Sequence, residues 1–139
     1  MNPLVQYINN RDKQVRNNLV DKDLKMATHD YTTHLHRINY MKNSIWMGRP
    51  IMQYPTDLMV MQELIWQIEP DFIVETGVAF GGMTVFYASI MKALGYYNGG
   101  MVIGVDIEIR DHNLEALLNH PLSNRISLIE GDSVLPETL

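Results

Sequence analysis

With 139 residues, 46% of them hydrophobic and 19% charged, the chain has the composition of one folded domain rather than of a disordered or collagen-like protein. Eleven basic against sixteen acidic residues give a formal charge of −5, which argues against nucleic-acid binding through a general basic field, and the lack of cysteine removes disulfides, thiolate metal sites and a cysteine nucleophile. No run approaches the roughly 18 apolar residues of a membrane span and the start from Met1 to Arg16 is too polar for a signal peptide, so the expected location is cytoplasmic.

In chain order, the first fifty residues are polar and punctuated. A weak helical spacing of Leu4, Val5, Ile8, Val15 and Leu19 predicts one or two short helices. From Asn43 to Pro55, Gly48 and two prolines favour an extended, looping segment. Thr56 or Asp57 is expected to cap a helix carrying Val60, Met61, Leu64, Ile65 and Ile68, which Pro70 stops. Phe72-Ile73-Val74 reads as a strand ending at Glu75, with Gly77, Gly81 and Gly82 directly after it. A helix is expected from about Gly82 to Leu94, with Gly95 at its left-handed C-terminal position and a turn over residues 96–100. Residues 101–105 read as a second buried strand ending at Asp106, and Leu114, Leu117 and Leu118 as a short helix stopped by His120-Pro121. Residues 126–129 read as a third strand, followed by Glu130-Gly131-Asp132-Ser133. The order strand, helix, strand, helix, strand, with nearly all-apolar strands, predicts an α/β fold whose parallel sheet is covered by helices on both faces.

The most informative segment is Glu75-Thr76-Gly77-Val78-Ala79-Phe80-Gly81-Gly82-Met83-Thr84, at a strand-to-helix junction where backbone N–H groups can face a ligand. Three ligand classes use such a turn. Gly77 to Thr84 match a triphosphate-binding loop except that Met83 stands where its lysine belongs, and Ala79 breaks the G-x-G-x-x-G pattern of a dinucleotide site. The third is S-adenosylmethionine, held by an acidic strand end, a looser glycine loop and an acid at the next strand end. Asp106, 24 residues after Gly82, has the spacing of an acid that accepts hydrogen bonds from ribose hydroxyls, and Asp132 with Ser133 stand where an adenine edge would lie. Each residue also has a plain structural reading: a tight turn for the three glycines, a helix cap for Asp106, a turn pair for Asp132-Ser133 and a partly exposed strand end for Glu75. As a set they are more specific than any member.

The motifs Asn43-Ser44-Ile45-Trp46-Met47-Gly48, Gln53-Tyr54-Pro55-Thr56-Asp57, Gln62-Glu63-Leu64-Ile65, Pro70-Asp71-Phe72-Ile73-Val74-Glu75-Thr76-Gly77 and Gly81-Gly82 occur in this order. Gly104-Val105-Asp106-Ile107-Glu108-Ile109-Arg110, His120-Pro121, Arg125-Ile126 and Glu130-Gly131-Asp132-Ser133 continue it. Together, from about residue 43 to the end, they resemble the cephalosporin hydroxylase and rhamnosyl O-methyltransferase family. The resemblance implies a Rossmann-like class I methyltransferase fold and S-adenosylmethionine-dependent methyl transfer to an oxygen of a sugar or natural-product scaffold. It implies that Glu75, Gly77 and Gly81 line the methionine and ribose part of the site, that Thr76 and Gly82 also bind cofactor, that Asp106 holds the ribose hydroxyls and that Asp132 and Ser133 lie by the adenine. Gln53 and Asp57 would close over the cofactor. The family's divalent metal (Mg) ligands lie on later strands, so no residue here inherits that role, and no catalytic base is assigned.

Other candidates read as structural. His34-Leu35-His36 would put two imidazoles on one side of a strand, but without a third ligand they read as solvent-facing. His120 reads as a helix end and His112 is not chosen as a base. Met47, Met52, Met59, Met61 and Met83 are expected to fill the core, Trp66 to pack, and Trp46 to contact ligand from its Gly/Pro loop. No G-x-S-x-G elbow supports a hydrolase.

The domain plan is a helical and looping segment over 1–54 and the N-terminal half of a Rossmann-like domain over 55–139. At about 30 residues per β-α-β unit, the 68 residues from Phe72 to Leu139 hold only three strands. The expectation is a truncated or split chain whose first strand has an open apolar edge, partnered by a second copy or by a complementing C-terminal half. Its ligand partners would be small molecules, not nucleic acid.

Overall fold

In the computed structural model residues 2–95, 100–136 and 138 are described, and the chain divides into two compact units, Met1–Tyr40 and Met41–Leu139. The first unit holds helices α1 (Pro3–Asn18) and α2 (Lys22–Arg37), longer than the short helices expected. Two side-chain caps explain their starts: Asn2 accepts from the Leu4 N–H and Asp21 from the Leu24 N–H, each satisfying a donor that a helix start leaves over. Their apolar positions stay largely exposed, and Leu35 is the buried residue of this unit among those described. His34 and His36 fall in the last turn of α2, not on a strand. Helical residues two apart diverge by about 200°, so the two imidazoles do not share a face.

The second unit has a hairpin where the glycine and proline pattern predicts an extended, looping segment. Strands β1 (Ser44–Trp46) and β2 (Arg49–Ile51) pair antiparallel as a hairpin, with Trp46 opposite Arg49. The hairpin therefore groups with the second unit, whereas the boundary read from sequence lies after it, at 54/55. Helix α3 (Pro55–Ile68) begins with Pro55 at its first position, and neither Thr56 nor Asp57 caps it: the cap position is Tyr54, with no side-chain bond. Proline suits that place because its fixed φ is helical and its missing N–H would have had no partner.

Strands β3 (Phe72–Thr76), β4 (Met101–Asp106) and β5 (Ile126–Glu130) form a parallel sheet in the order β3-β4-β5. Helix α4 (Gly82–Ala93) connects β3 to β4 and α5 (Asp111–Leu118) connects β4 to β5. Gly95 takes φ 70° after α4, as its position predicts, while residues 96–99 of the expected turn lie outside the described residues. Val78, Val85, Ala88, Met91, Val102, Leu117 and Leu122 form the core, and Trp46, Ile73, Ile126 and Leu128 pack against it.

Only one face of β3 is covered. Ile73 and Glu75 turn inward, whereas Phe72 and Val74 on the opposite face are 61% and 58% exposed, and β4 is the only strand paired with β3 among the described residues. The expected helical cover on both faces is thus absent at this strand. Met91 is the methionine in the core; Met47 and Met59 are exposed, and so is Trp66, because α3 buries only Ile65. Trp46 faces inward, edge-on to Phe86 at 5.0 Å, with its indole N–H donated to Ser89 Oγ.

Candidate functional site

The loop between β3 and α4 is built from alternating left-handed residues, with φ 87° at Gly77, 48° at Ala79 and 77° at Gly81. Ala79 is the one among them with a Cβ, so its conformation is strained and must be held by its surroundings. The Ala79 N–H donates to Asp106 Oδ2 at 3.0 Å, and the Ala79 carbonyl accepts from Asn113 Nδ2 at 3.0 Å. Gly77 N–H bonds the Val105 carbonyl and Gly81 N–H the Val78 carbonyl, both at 2.8 Å. Helix α4 then starts against the hairpin so closely that a Cβ on Gly82 would come within 2.6 Å of Ile51 Cα.

Two cavities flank this loop, sharing Ala79 and Phe80. The first, of about 330 Å³, is lined by Glu75, Thr76, Gly77, Gly82, Gln53 and Tyr87 among others. The second, of about 290 Å³, is lined by Asp106, Ile107, Glu108, Arg110 and Asn113. The structure therefore brings Glu75, Thr76, Gly77, Gly82 and Gln53 to one cavity and Asp106 to the other. Gly81, Asp132, Ser133 and Asp57 line neither: Gly81 is buried against Leu117, Asp57 lies in the first turn of α3, and Asp132 accepts from the Val134 N–H in a local turn. The end of β5 still adjoins the site, since the Gly131 N–H donates to the Asp106 carbonyl. Nor does Trp46 line either cavity.

The two acids differ in their electrostatics. Burial pushes the Glu75 carboxyl up to about 7; a hydrogen bond from the buried Thr84 hydroxyl works against this and the nearby Asp106 charge adds to it. Burial also acts to raise Asp106, but N–H groups of Ala79, Glu108, Val78 and Ile107 turn toward its carboxylate and hold it below the usual range. Asp106 is thus a fixed anion, and Glu75 is poised between charged and neutral near pH 7. Burial, then the charge of Glu75, raises the Tyr87 phenol, which keeps it protonated as a donor in the first cavity. Tyr87, Arg49 and Asn113 escaped the sequence reading; for Tyr87 the available signal was its position on α4 one turn from Met83, another lining residue.

A parallel β-α-β-α-β unit whose first two strands end in acids around a left-handed loop defines the ligand-binding part of a Rossmann-like fold. The family model Rhamnosyl O-methyltransferase/CmcI matches residues 38–139. The chain belongs to this family and corresponds to its N-terminal part. It is 31% identical over 99 residues to the rhamnosyl O-methyltransferase of Mycobacterium leprae (strain TN), a match covering 70% of this chain and 40% of that protein. The Mycobacterium tuberculosis (strain ATCC 25618 / H37Rv) rhamnosyl O-methyltransferase is 30% identical over 61 residues, or 40% of this chain and 25% of the relative. Among solved structures, the CmcI-N160 apo-structure superposes with a TM-score of 0.54 at 25% identity, covering 70% of this chain and 39% of its own. The structure described as cmcI-N160 SAH gives 0.50 at 25% identity, covering 70% and 49%. The chain thus spans about two fifths of the length of the first of these relatives. The fold is an incomplete Rossmann-like methyltransferase fold.

Proposed function

We propose that this chain forms the cofactor-binding part of an S-adenosylmethionine-dependent O-methyltransferase that acts on a hydroxyl of a sugar or natural product, in the cytoplasm. The observation that carries the reading is the fixed carboxylate of Asp106 at the end of β4, in a cavity that shares Ala79 and Phe80 with the cavity of Glu75. The donor set suits the ligand. Asp106 retains acceptor capacity for ribose hydroxyls beyond its backbone bonds, since each carboxylate oxygen takes more than one donor. Glu75, once ionised, offers a charge-assisted bond to an ammonium such as that of the methionine moiety. Gly77 holds φ 87° and an added Cβ would meet nothing within 4 Å, which leaves that side of the loop open to a ligand. Thr76 and Gly82 line the same cavity.

When bound, S-adenosylmethionine supplies an electrophilic methyl group for transfer to oxygen. The contribution of this chain is to bind and orient the donor, and orientation alone can supply several kcal/mol of rate enhancement, about 7–11 in favourable cases. In this proposal Gly81 shapes the loop, and Asp132 and Ser133 approach an adenine only from beside the end of β5. Gln53 covers the first cavity, while Asp57 has no assigned role. Among the described residues no three His, Asp or Glu side chains converge as a metal site, and none is assigned as a metal ligand or as the catalytic base. The open edge of β3 favours a second reading, in which the chain binds cofactor but transfers a methyl group only when a complementing segment or a second copy completes the sheet. A nicotinamide cofactor fits less well because of Ala79.

Isothermal calorimetry with S-adenosylhomocysteine and with NADH tests the proposal. Heat of binding from the former and none from the latter is expected. Tight NADH binding without S-adenosylhomocysteine binding overturns it.

A further inference from the structure

We infer that Arg49 and Asn113 form a strut that holds the β3–α4 loop in its ligand-receiving shape, and that both are positioning residues for the cofactor. The link between loop shape and cofactor rests on the proposed function; the strut does not.

Arg49 sits on β2, opposite Trp46 in the hairpin, and its guanidinium reaches two targets. Nε donates to the Phe80 carbonyl at 2.7 Å and a terminal nitrogen donates to Asn113 Oδ1 at 2.8 Å. Asn113, on α5 and 5% exposed, passes the bridge on through Nδ2 to the Ala79 carbonyl. The chemistry fixes the amide orientation. A guanidinium only donates, so it must meet the amide oxygen; a carbonyl only accepts, so it must meet the amide nitrogen. Two successive loop carbonyls, of Ala79 and Phe80, are thereby tied to α5 and to the hairpin, and the Ala79 N–H is tied to β4 through Asp106.

This arrangement answers the strain at Ala79. A non-glycine residue persists at positive φ only where its surroundings over-determine it, and here both its N–H and its carbonyl are engaged. The same turn shapes both cavities, and it presents the Ala79 N–H to Asp106. Loss of the strut would free Ala79 to relax toward negative φ and would turn that N–H away from the carboxylate. The hairpin thereby gains a role beyond packing: it carries an arginine bonded to this loop.

The test uses Arg49→Met, Asn113→Ala and Asn113→Asp in the full chain, with thermal melting to verify folding. Asn113→Asp is the sharpest variant, because it keeps size and the Arg49 partner but sets an oxygen against the Ala79 carbonyl. In the absence of ligand, amide exchange at residues 78–81 is expected to accelerate at least tenfold in each variant while exchange in α4 and β4 stays near wild type. S-adenosylhomocysteine affinity is expected to fall about tenfold in each single variant, and Arg49→Met with Asn113→Ala together should be no worse than about the poorer single. Unchanged loop exchange in folded variants overturns the strut. Accelerated exchange with unchanged affinity overturns the link to the cofactor. A wild type that binds no S-adenosylhomocysteine contradicts the proposed function, and leaves ligand-free exchange to decide the strut. Should Arg49→Met fail to fold, Arg49→Lys, which keeps one charge but not the two-target fork, replaces it.

Discussion

Strands β3 and β4 lie side by side, are about equally apolar in sequence, and meet opposite fates. In β4, Val102 and Val105 are sealed from solvent between two neighbouring strands. In β3, Phe72 and Val74 stand open on an outer face and an edge. The difference lies in what each strand is placed against. At its C-terminal end β3 is tied in, with Glu75 bonded to Thr84 and the following loop held by Asp106, Arg49 and Asn113. Along its outer side no strand pairs with it among the described residues, and an apolar edge of that kind ordinarily recruits another strand. The loop end of β3 is thus tied to its neighbours, while its outer edge has no strand beside it among the described residues.

The largest effects should come from breaking the tied end. Gly82→Val drives a side chain into the hairpin backbone, which cannot yield as a flexible side chain would; a loss of about 3 kcal/mol in denaturant unfolding is expected. Asp106→Ala removes the fixed anion, and the expected loss in S-adenosylhomocysteine affinity is about 10- to 100-fold by calorimetry, as for hydrogen bonds to a charged group.

Glu75 gives a pH signature. Its folded carboxyl titrates near 7, above its unfolded value, so the folded state holds the extra proton between about pH 4.5 and 7. Stability contributed by the neutral form is present at low pH and declines as pH rises through that window, by about 3 kcal/mol in total. Glu75→Gln should flatten the decline in a series of unfolding curves. Binding of an ammonium-bearing ligand has the opposite dependence, tightening as pH rises through 7, because it requires the ionised carboxylate.

The smallest effect should come from the open side. Val74→Thr on the exposed face is expected to change stability by less than about 0.5 kcal/mol while reducing concentration-dependent aggregation in light scattering. A cooperative, monomeric melt of the unaltered chain at high concentration would count against the open edge as a site of association.

Apolar runs and punctuation were enough to read β3, β4, β5, α4 and α5 and the glycine turn, because short apolar runs bounded by turn residues and C-terminal glycines leave local marks. The hairpin left none. Its turn places Met47 at φ 45° and Gly48 at φ 86°, and a methionine in that position gives no signal of the kind Asn-Gly would. The place of Asp106 at the end of β4 was legible from the apolar run before it. Arg49 and Asn113 were not, since their role exists only when β2 and α5 are brought to the same loop. Asp132-Ser133 had the right spacing for an adenine contact, yet Asp132 serves a local turn, the structural reading that such a pair always carries.

The central claim is that this loop, Glu75 and Asp106 receive the adenosyl cofactor. The most direct test is a titration with S-adenosylhomocysteine followed by amide resonances of the isotope-labelled chain. Saturable shifts at Gly77, Ala79, Asp106 and Ile107, with α1 and α2 unmoved, are predicted. No shifts at these residues, or shifts confined to other parts of the chain, would contradict the claim.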